Sequence, residues 1–266
     1  MENIFKKISL CCEELKLNFE SKEVATWANT NGIGDTDLST VLSFISTVEK
    51  KISEDSVSFL MRLSRLPKDC GTIESFKTNR FDAKAEADEV VKTLKTLSFV
   101  ETGMNLLFTG NTGTGKTHLA QALALECCRH KIKTYYLTFR ELDEMFTKAR
   151  ALGRTRAVIS SLCKYTCLVI DKVSDLKMDE ENTCLFAGLV DKRNQKNHGS
   201  MILTSGSTPS YWTEYFTGTK VLETTIDRLM DKEICIAFSG ESYRGTQRKV
   251  FQFKTMAEMA LVTINK

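Results

Sequence analysis

Eight consecutive residues near the middle of the chain have the types and spacing needed to bind the phosphates of a nucleotide. They read Gly-Asn-Thr-Gly-Thr-Gly-Lys-Thr from Gly110 to Thr117 and fit the pattern G-x-x-x-x-G-K-[ST]. Glycines let the backbone curl so that N–H groups point at the phosphates, Lys116 supplies positive charge, and the Thr117 hydroxyl can ligate Mg²⁺. We therefore predict that a nucleotide binds to a run of nine residues, namely Gly110, Asn111, Thr112, Gly113, Thr114, Gly115, Lys116, Thr117 and His118.

The segments on either side of this loop are those that the motif requires. Residues 104–109 form a short apolar run typical of a strand, and residues 118–126 are rich in helix-forming residues. The helix N-terminus would add its dipole to the anion site. The alternative, a glycine-rich turn with a solvated lysine, does not explain these flanks.

A carboxylate for the metal ion is expected from Asp171. This residue ends the apolar run Leu168-Val169-Ile170 and follows Lys116 by about 55 residues, a separation that suits a second strand of the same site. We predict that Thr117 and Asp171 ligate Mg²⁺. The alternative is an aspartate that caps the turn after its strand.

The residue after Asp171 is unusual for a site that hydrolyses ATP. Such sites need a group that activates the attacking water, and in this class a glutamate usually follows the aspartate. Here the residue is Lys172. A protonated lysine cannot accept a proton and would instead add charge near the γ-phosphate. Asp175 could substitute only if the loop folded back.

Apolar runs alternate with helical segments from residue 104 onward. The predicted strands are residues 104–109, 133–138, 167–171, 201–205 and 234–238, and the predicted helices are residues 118–126, 141–150 and 179–197. Continuous apolar strands separated by helices indicate a parallel sheet covered by helices on both faces. Such sheets bind ligands at the carboxyl ends of their strands, where Gly110, Asp171 and Ser205 all fall.

The first 98 residues are predicted to form a small all-helical domain. Helical periodicity covers residues 2–17, 38–45, 56–66 and 84–97, with Asp37 as an N-cap and Pro67 as a helix stop. No strand is predicted before residue 104. The predicted organisation is a helical N-terminal domain with a linker, residues 1–98, followed by an α/β nucleotide-binding domain, residues 99–266.

The composition is that of an ordinary globular protein. The apolar fraction is 42%, the charged fraction is 27%, and no run of eighteen apolar residues could cross a membrane. The first residues lack the apolar core of a signal peptide, so we expect a cytoplasmic protein without a membrane partner. The nine cysteines form no C-x-x-C pair and do not cluster with the three histidines, which argues against zinc and against a disulfide framework.

Positive charge is concentrated in the second part of the chain. Residues 1–100 contain 14 Lys and Arg against 16 Asp and Glu, a net charge of −2, whereas residues 101–266 contain 23 against 18, a net charge of +5. Two basic clusters stand out: Lys148, Arg150, Arg154 and Arg156, and further on Arg244, Arg248, Lys249 and Lys254. Such clusters either contact nucleic-acid phosphates or form a solvated surface, and a net charge of +3 does not decide between these.

Several of these segments together resemble one known family. They are residues 97–107, Gly113-Thr114-Gly115-Lys116-Thr117-His118-Leu119-Ala120, Leu168-Val169-Ile170-Asp171, residues 176–181, Ile202-Leu203-Thr204-Ser205, Ile226-Asp227-Arg228-Leu229 and residues 240–244. In this order and spacing, residues 60–246 resemble the IstB-like AAA+ ATPases. These are helper proteins of insertion-sequence transposition and are similar to the DnaC-type helicase loaders. Residues 1–60 match only in being helical.

The resemblance implies a fold, a cofactor and roles for particular residues. It implies an AAA+ P-loop core that binds ATP and Mg²⁺, with Lys116, Asp171 and Arg228 as the catalytic residues. Arg228 lies where the family places the arginine that reaches the γ-phosphate of a neighbouring subunit. The residues implied to contact DNA are Lys148, Arg150, Arg154, Arg156 and Arg244.

The sequence departs from the family pattern in three places, two of which bear on hydrolysis. The family's Asp-Glu pair is Asp171-Lys172, and its Thr-Ser-Asn sensor is Thr204-Ser205-Gly206. Prolines usual early in the loop are replaced by Asn111 and Thr112, which should not prevent binding. Because losing one group that stabilises the reaction typically costs about 10²–10³ in rate, we expect hydrolysis to be slow or lost.

The function predicted from the sequence is an ATP-binding transposition helper that oligomerises on duplex DNA in an ATP-dependent way and assists a transposase. Two alternatives remain open at this stage. One is a DnaC-type loader that acts on a replicative helicase. The other is a degenerate pseudo-ATPase, although the intact phosphate-binding loop counts against complete decay.

Overall fold

The phosphate-binding loop lies in a chain of ten helices and five strands, counted over the residues that the structure describes. A computed structural model describes residues 2–79, 81, 83–195, 199–231, 233–239 and 242. The strands are β1 (Asn105–Gly110), β2 (Thr134–Thr138), β3 (Cys167–Asp171), β4 (Ser200–Thr204) and β5 (Glu233–Phe238). The helices are α1 (Glu2–Glu14), α2 (Ser21–Thr30), α3 (Asp35–Leu63), α4 (Lys84–Lys95), α5 (Ser98–Glu101), α6 (Lys116–Arg129), α7 (Phe139–Ala151), α8 (Thr155–Leu162), α9 (Glu180–Asn194) and α10 (Thr219–Met230), and a short 3₁₀ helix covers Pro209–Glu214.

The five strands form one parallel sheet in the order β2-β3-β4-β1-β5. This order places the strand before the phosphate-binding loop between β4 and β5, with β3 one strand further away. Because all strands run the same way, the carboxyl ends of β1, β3 and β4 meet at one edge of the sheet. The α/β class and the parallel sheet predicted from the sequence are confirmed.

Strand side chains alternate between two apolar cores, one on each face of the sheet. Leu107 and Leu203 belong to a core that also takes residues from α7, α9 and α10. Leu106 and Ile202 belong to the other core, with residues from α4, α5 and α6. The register pairs Leu106 with Ile202 and Leu107 with Leu203, so each pair points to one face. Helices therefore cover both faces, as predicted.

The N-terminal region is helical, as predicted, with a separate small core. That core consists of Ile8, Cys12, Val24, Ala28 and Leu38, contributed by α1, α2 and α3. Among the described residues the first strand begins at Asn105. The end of α3 contacts the sheet, because the Tyr136 backbone N–H donates to the carbonyl of Ser64 at 2.8 Å and so covers part of the exposed edge of β2.

Two details of this region differ from the sequence prediction. The helices expected at residues 38–45 and 56–66 are parts of one helix, α3, because no glycine or proline interrupts residues 35–63. Its N-cap is Gly34, so Asp37 lies inside the first turn, where its charge favours the helix dipole. Helices α2, α5, α8 and α10 were not among the predicted elements.

None of the described helices has the length and apolar character needed to span a bilayer.

Candidate functional site

The backbone of the phosphate-binding loop has a shape that only glycine accommodates at three positions. Gly110, Gly113 and Gly115 have φ angles of 128°, 87° and 103°. A Cβ atom on Gly115 would lie 2.9 Å from the ring of Phe76, and one on Gly110 would collide with the carbonyl of Phe238. The loop therefore curls as its sequence pattern predicts, and α6 begins at Lys116 with its N-terminus at the loop.

Lys116 folds back onto the loop that precedes it. Its Nζ donates to the carbonyl oxygens of Gly110 at 2.6 Å and Asn111 at 2.7 Å. The Thr114 hydroxyl also donates to the Asn111 carbonyl, at 2.8 Å. These bonds hold the ammonium group over the concave side of the loop, close to where phosphate oxygens would take their place.

Asp171 is fully buried at the end of β3 and accepts hydrogen bonds from three hydroxyl groups. Thr117 and Thr204 donate to Oδ1, the former at 2.9 Å, and Tyr136 donates to Oδ2 at 2.8 Å. Burial, followed by the charge of Asp171 and the hydrogen bond to it, raises the pKa of Tyr136, so this phenol stays protonated and keeps donating. Gln121 donates to the same phenol at 3.0 Å.

The predicted magnesium ligands are adjacent. The Thr117 side chain lines the cavity beside the loop, and the Asp171 carboxylate lies directly behind it. Hydroxyl and carboxylate oxygens suit Mg²⁺, which takes one or two protein ligands and completes its shell with waters and substrate phosphates. The donor set therefore fits the ion, with Thr117 as the group that faces the cavity.

A cavity of about 960 Å³ opens beside the loop and is large enough for a nucleotide. Loop residues 112, 113 and 115–118 line it. It is also lined by Lys172, Ser174 and Asp175 after β3, and by residues 204–206 at the end of β4. The carboxyl ends of three strands thus contribute to one site, as the sequence predicts.

The cavity is also lined by residues of a segment that sequence reasoning missed, residues 69–79. Phe76 lies edge-on to the His118 ring with 5.6 Å between ring centroids, and the Ser75 hydroxyl is 3.0 Å from His118 Nε2. Gly71 packs closely against His118, since a Cβ atom at this position would collide with the His118 ring as it is placed. No spacing pattern marks this segment, because its role comes from packing against a helix some forty residues later.

Lys172 and Gly206, the positions at which the resemblance implies that water-positioning groups are missing, both line the cavity. Lys172 has a left-handed φ of 63°, and its backbone N–H donates to the Thr204 hydroxyl at 2.8 Å. Its side chain is exposed and lines the cavity. Gly206 donates its N–H to the Ser174 hydroxyl at 2.9 Å, and a Cβ at this position would lie 3.2 Å from that oxygen.

Asp175 also lines the cavity. The loop after β3 turns back on itself, since the Asp175 backbone N–H donates to the Lys172 carbonyl at 3.1 Å. This is the fold-back that a substitute carboxylate would require.

Arg228 does not line the cavity of its own chain. Its guanidinium pairs with Asp191 of α9, and this bond raises the pKa of the arginine. The Asn194 side chain donates to the Arg228 carbonyl at 3.0 Å. The role of Arg228 toward a neighbouring subunit stays a prediction.

The basic cluster after β2 divides into two parts. Lys148, Arg154 and Arg156 are exposed around the turn between α7 and α8. Arg150 instead points to the start of α9, where it donates to Asp179 at 2.8 Å and to Asn182 at 3.0 Å, and also pairs with Glu181. Arg150 thus has an intramolecular role, and the DNA contacts of all four residues stay predictions. Arg244, Arg248, Lys249 and Lys254 lie outside the described residues.

Comparison with known proteins also indicates a nucleotide-binding protein. A family model described as "IstB-like ATP binding protein" matches residues 16–250, so the similarity begins well before residue 60, where the sequence reading placed it. An ATP-binding protein assigned to insertion sequence IS5376 of Geobacillus stearothermophilus is 32% identical over 233 residues, which cover 87% of this chain and 89% of the relative. One assigned to IS232 of Bacillus thuringiensis subsp. berliner is 25% identical over 254 residues, covering 92% and 96%.

Solved structures share the fold. AMPPCP-bound DnaA from Aquifex aeolicus superposes with a TM-score of 0.54 and 21% identity, covering 66% of this chain and 51% of that one. The DnaC helicase loader superposes with a TM-score of 0.52 and 16% identity, covering 64% and 97%. At these identities the likeness establishes an AAA+ P-loop fold.

Proposed function

Because the chain belongs to the family of IstB-like ATP-binding proteins, we propose that it is a transposition helper that assembles on duplex DNA when ATP is bound and then assists a transposase. In this proposal ATP acts as an assembly switch and is hydrolysed slowly or not at all. The observation that carries the proposal is a complete phosphate-binding apparatus beside a site that lacks both expected water-positioning groups.

The described contacts support ATP binding at this site. Lys116 would exchange the carbonyls of Gly110 and Asn111 for oxygens of the β- and γ-phosphates, and the N–H groups at the start of α6 would face the same phosphates. Mg²⁺, when bound, would neutralise phosphate charge. Thr117 would hold the ion, and Asp171 would fix the Thr117 hydroxyl from behind.

The same site is poorly equipped to activate water. Lys172 presents a cation where a proton acceptor is expected, and it would attract the γ-phosphate. Gly206 offers no side-chain amide, and its backbone N–H is already bonded to Ser174. Asp175 lines the cavity and is a candidate acceptor for residual turnover. Losing two such groups would lower the rate by about 10⁴ or more if their effects were additive, so bound ATP would outlast assembly.

Arg228 supports a role for a second subunit. It is exposed, it does not line the cavity of its own chain, and among the described residues its guanidinium forms one ion pair, with Asp191 at the surface. Such pairs contribute little in water, so Arg228 could exchange Asp191 for the γ-phosphate of a neighbour at low cost. ATP would then join two subunits through Arg228.

The proposal is tested by sedimentation velocity of the full chain with duplex DNA, with and without ATP. We expect large complexes only when ATP and DNA are both present. Lys116→Ala should abolish them, and Lys133→Ala, which removes an exposed lysine at the start of β2, should leave them unchanged. Equal complexes without ATP, or with Lys116→Ala, would contradict the switch.

The helicase-loader alternative is separated by the same experiment. A loader that grips single strands should form its complexes on single-stranded DNA in preference to duplex. If the ATP-dependent complexes form only on single-stranded DNA, the transposition-helper proposal is wrong and the helicase-loader hypothesis is supported. If no ATP-dependent complex forms on either DNA, the degenerate pseudo-ATPase reading is supported.

A further inference from the structure

The turn between α7 and α8 presents a leucine to solvent. Leu152 is 67% exposed and lies between the end of α7 at Ala151 and the start of α8 at Thr155. A Cβ atom placed on the next residue, Gly153, would meet nothing within 4 Å, so the turn projects into open space. A single exposed leucine is common on protein surfaces, so the inference depends on the residues around it.

The turn is fixed in one conformation. Gly153 is left-handed with φ of 63°, its N–H donates to the Arg150 carbonyl at 3.1 Å, and the Arg154 N–H donates to the Ala149 carbonyl at 2.8 Å. This pair of bonds is the Schellman arrangement, which satisfies the last carbonyls of a helix. Leu152 is therefore held by backbone hydrogen bonds on both sides.

The two helices behind the turn are braced against α9. Arg150 binds Asp179 and Asn182 at the start of α9. On the other helix, Ser160 accepts a hydrogen bond from Lys192 at 2.8 Å. Both helices that flank Leu152 are therefore held by hydrogen bonds to α9, which packs on the sheet.

Three exposed cations lie near Leu152 in the chain, whereas Arg150 is paired with carboxylates at the start of α9. Residues 145–170 contain five Lys and Arg and no Asp or Glu. Within the described part of the chain, no ion pair joins Lys148, Arg154 or Arg156 to a carboxylate, and all three are exposed. An exposed leucine with these three cations on either side of it in the chain suits a polyanion whose apolar interior can be entered better than it suits an apolar protein groove.

We infer that Leu152 is a wedge that enters between base pairs of duplex DNA while Lys148, Arg154 and Arg156 hold the flanking phosphates. This inference rests on the proposed DNA binding and adds a particular distortion to it. Proteins that kink DNA insert leucine and other apolar side chains at a base step from the minor groove, and they recover the cost of unstacking through additional contacts with the bent duplex. Here the turn would supply the inserted leucine, and the three cations would supply the additional contacts with the bent duplex.

The test uses the full chain with ATP and a duplex that carries 2-aminopurine, a base analogue whose fluorescence rises when it is unstacked. The wild type should bind and raise the fluorescence. Leu152→Ala should bind with the same salt dependence but lose most of the rise. Leu10→Ala, which truncates a leucine of comparable exposure on α1, is the matched control and should behave like the wild type.

A double variant separates charge from insertion. Arg154→Ala with Arg156→Ala should weaken binding and reduce the slope of log K against log salt by roughly 2, one phosphate contact per arginine. If the wild type binds without a fluorescence rise, or if Leu152→Ala keeps the whole rise, the wedge is wrong while DNA binding stands. If the wild type binds no duplex at any salt concentration, the proposed function fails as well.

Discussion

Lys172 and Gly206 are the residues on which the proposed slow hydrolysis depends. Both lie at the cavity, and the hydroxyl of Ser174 occupies the space next to Gly206 where a larger side chain would begin. The atom that a Cβ at position 206 would approach belongs to the Ser174 side chain and not to the backbone. The proposed loss of water activation therefore depends on two side chains, and substitution of these side chains tests it.

Restoring the two groups should restore turnover. We expect Lys172→Glu with Gly206→Asn to raise the rate of phosphate release by about 10²-fold or more, because a proton acceptor and an amide return to the cavity. The measurement is ATP turnover of the DNA-bound protein. Lys177→Glu makes the same charge change at an exposed position outside the cavity lining and should leave the rate unchanged.

Tyr136 is expected to contribute to stability through its hydrogen bond to Asp171. Tyr136→Phe removes a donor from the buried carboxylate of Asp171, so we expect the free energy of unfolding to fall by about 1–3 kcal/mol. Urea denaturation measures this change. Tyr135→Phe removes a hydroxyl that is bonded only to the exposed Arg65 among the described contacts, and it should cost less than about 1 kcal/mol. If both variants lost the same free energy of unfolding, the hydrogen bond to Asp171 would contribute no more than the surface bond to Arg65.

The sequence alone predicted the nine loop residues and Asp171 but neither Tyr136 nor residues 69–79. The loop and Asp171 were predictable because a motif or a strand end marks each of them. Tyr136 reaches Asp171 only because β2 pairs with β3 in the observed register. Residues 69–79 reach the site by packing on His118. Contacts of this kind depend on tertiary structure and leave no local pattern.

At the scale of helices and strands, buried parallel strands were the most predictable elements. Their apolar runs are continuous, and each predicted strand lies within one residue of the observed bounds. Helices were less predictable where local signals compete. Asp37 has the chemistry of an N-cap, but Gly34 takes that position and α3 continues through residues 46–55 as a single helix. Helix α8, with only eight residues, is too short for its periodicity to be distinctive.

One arginine joins several of these elements. Arg193 is buried near the end of α9 and donates to four backbone carbonyls, those of Leu162, Tyr165, Thr166 and Ser200. It therefore ties the end of α8 to the segment before β3 and to the first residue of β4. Burial lowers the pKa of this guanidinium, and the bonds to carbonyl dipoles compensate its charge.

Removing this tie should destabilise the sheet domain. We expect Arg193→Met to lower the free energy of unfolding by about 3 kcal/mol, because several buried carbonyls lose their donor. Urea denaturation with a circular-dichroism readout measures the change. Lys192→Met, at the neighbouring position, loses one bond to Ser160 and should cost about 1 kcal/mol. A smaller loss for Arg193→Met than for Lys192→Met would contradict the account.

At the scale of the whole molecule, the proposed assembly needs Arg228 to reach a site on another subunit. Arg228 lies on α10, is paired with Asp191 of α9 and does not line the cavity of its own chain. A head-to-tail arrangement would bring the Arg228 of one subunit to the nucleotide of the next. The excess positive charge of residues 101–266 would attract DNA to the assembled surface.

The Asp191 contact should restrain this assembly. Asp191→Asn would release Arg228, and we expect the ATP concentration for half-maximal assembly on DNA to fall by up to about fivefold. Sedimentation across an ATP titration measures the shift. Asp227→Asn removes a nearby charge without the hydrogen bond and should have a smaller effect. Arg228→Ala should prevent assembly, and an unchanged assembly in that variant would exclude the role in a neighbouring subunit.

The most direct test of the central claim is the identity of the nucleotide inside the assembled complex. Full-length protein would be assembled on duplex DNA with radiolabelled ATP, the complexes sedimented, and the bound nucleotide separated into ATP and ADP. The assembly-switch account predicts that the complexes retain mainly ATP over many minutes. Complexes that contain mainly ADP, with phosphate released as they form, would show that hydrolysis drives assembly and would contradict it.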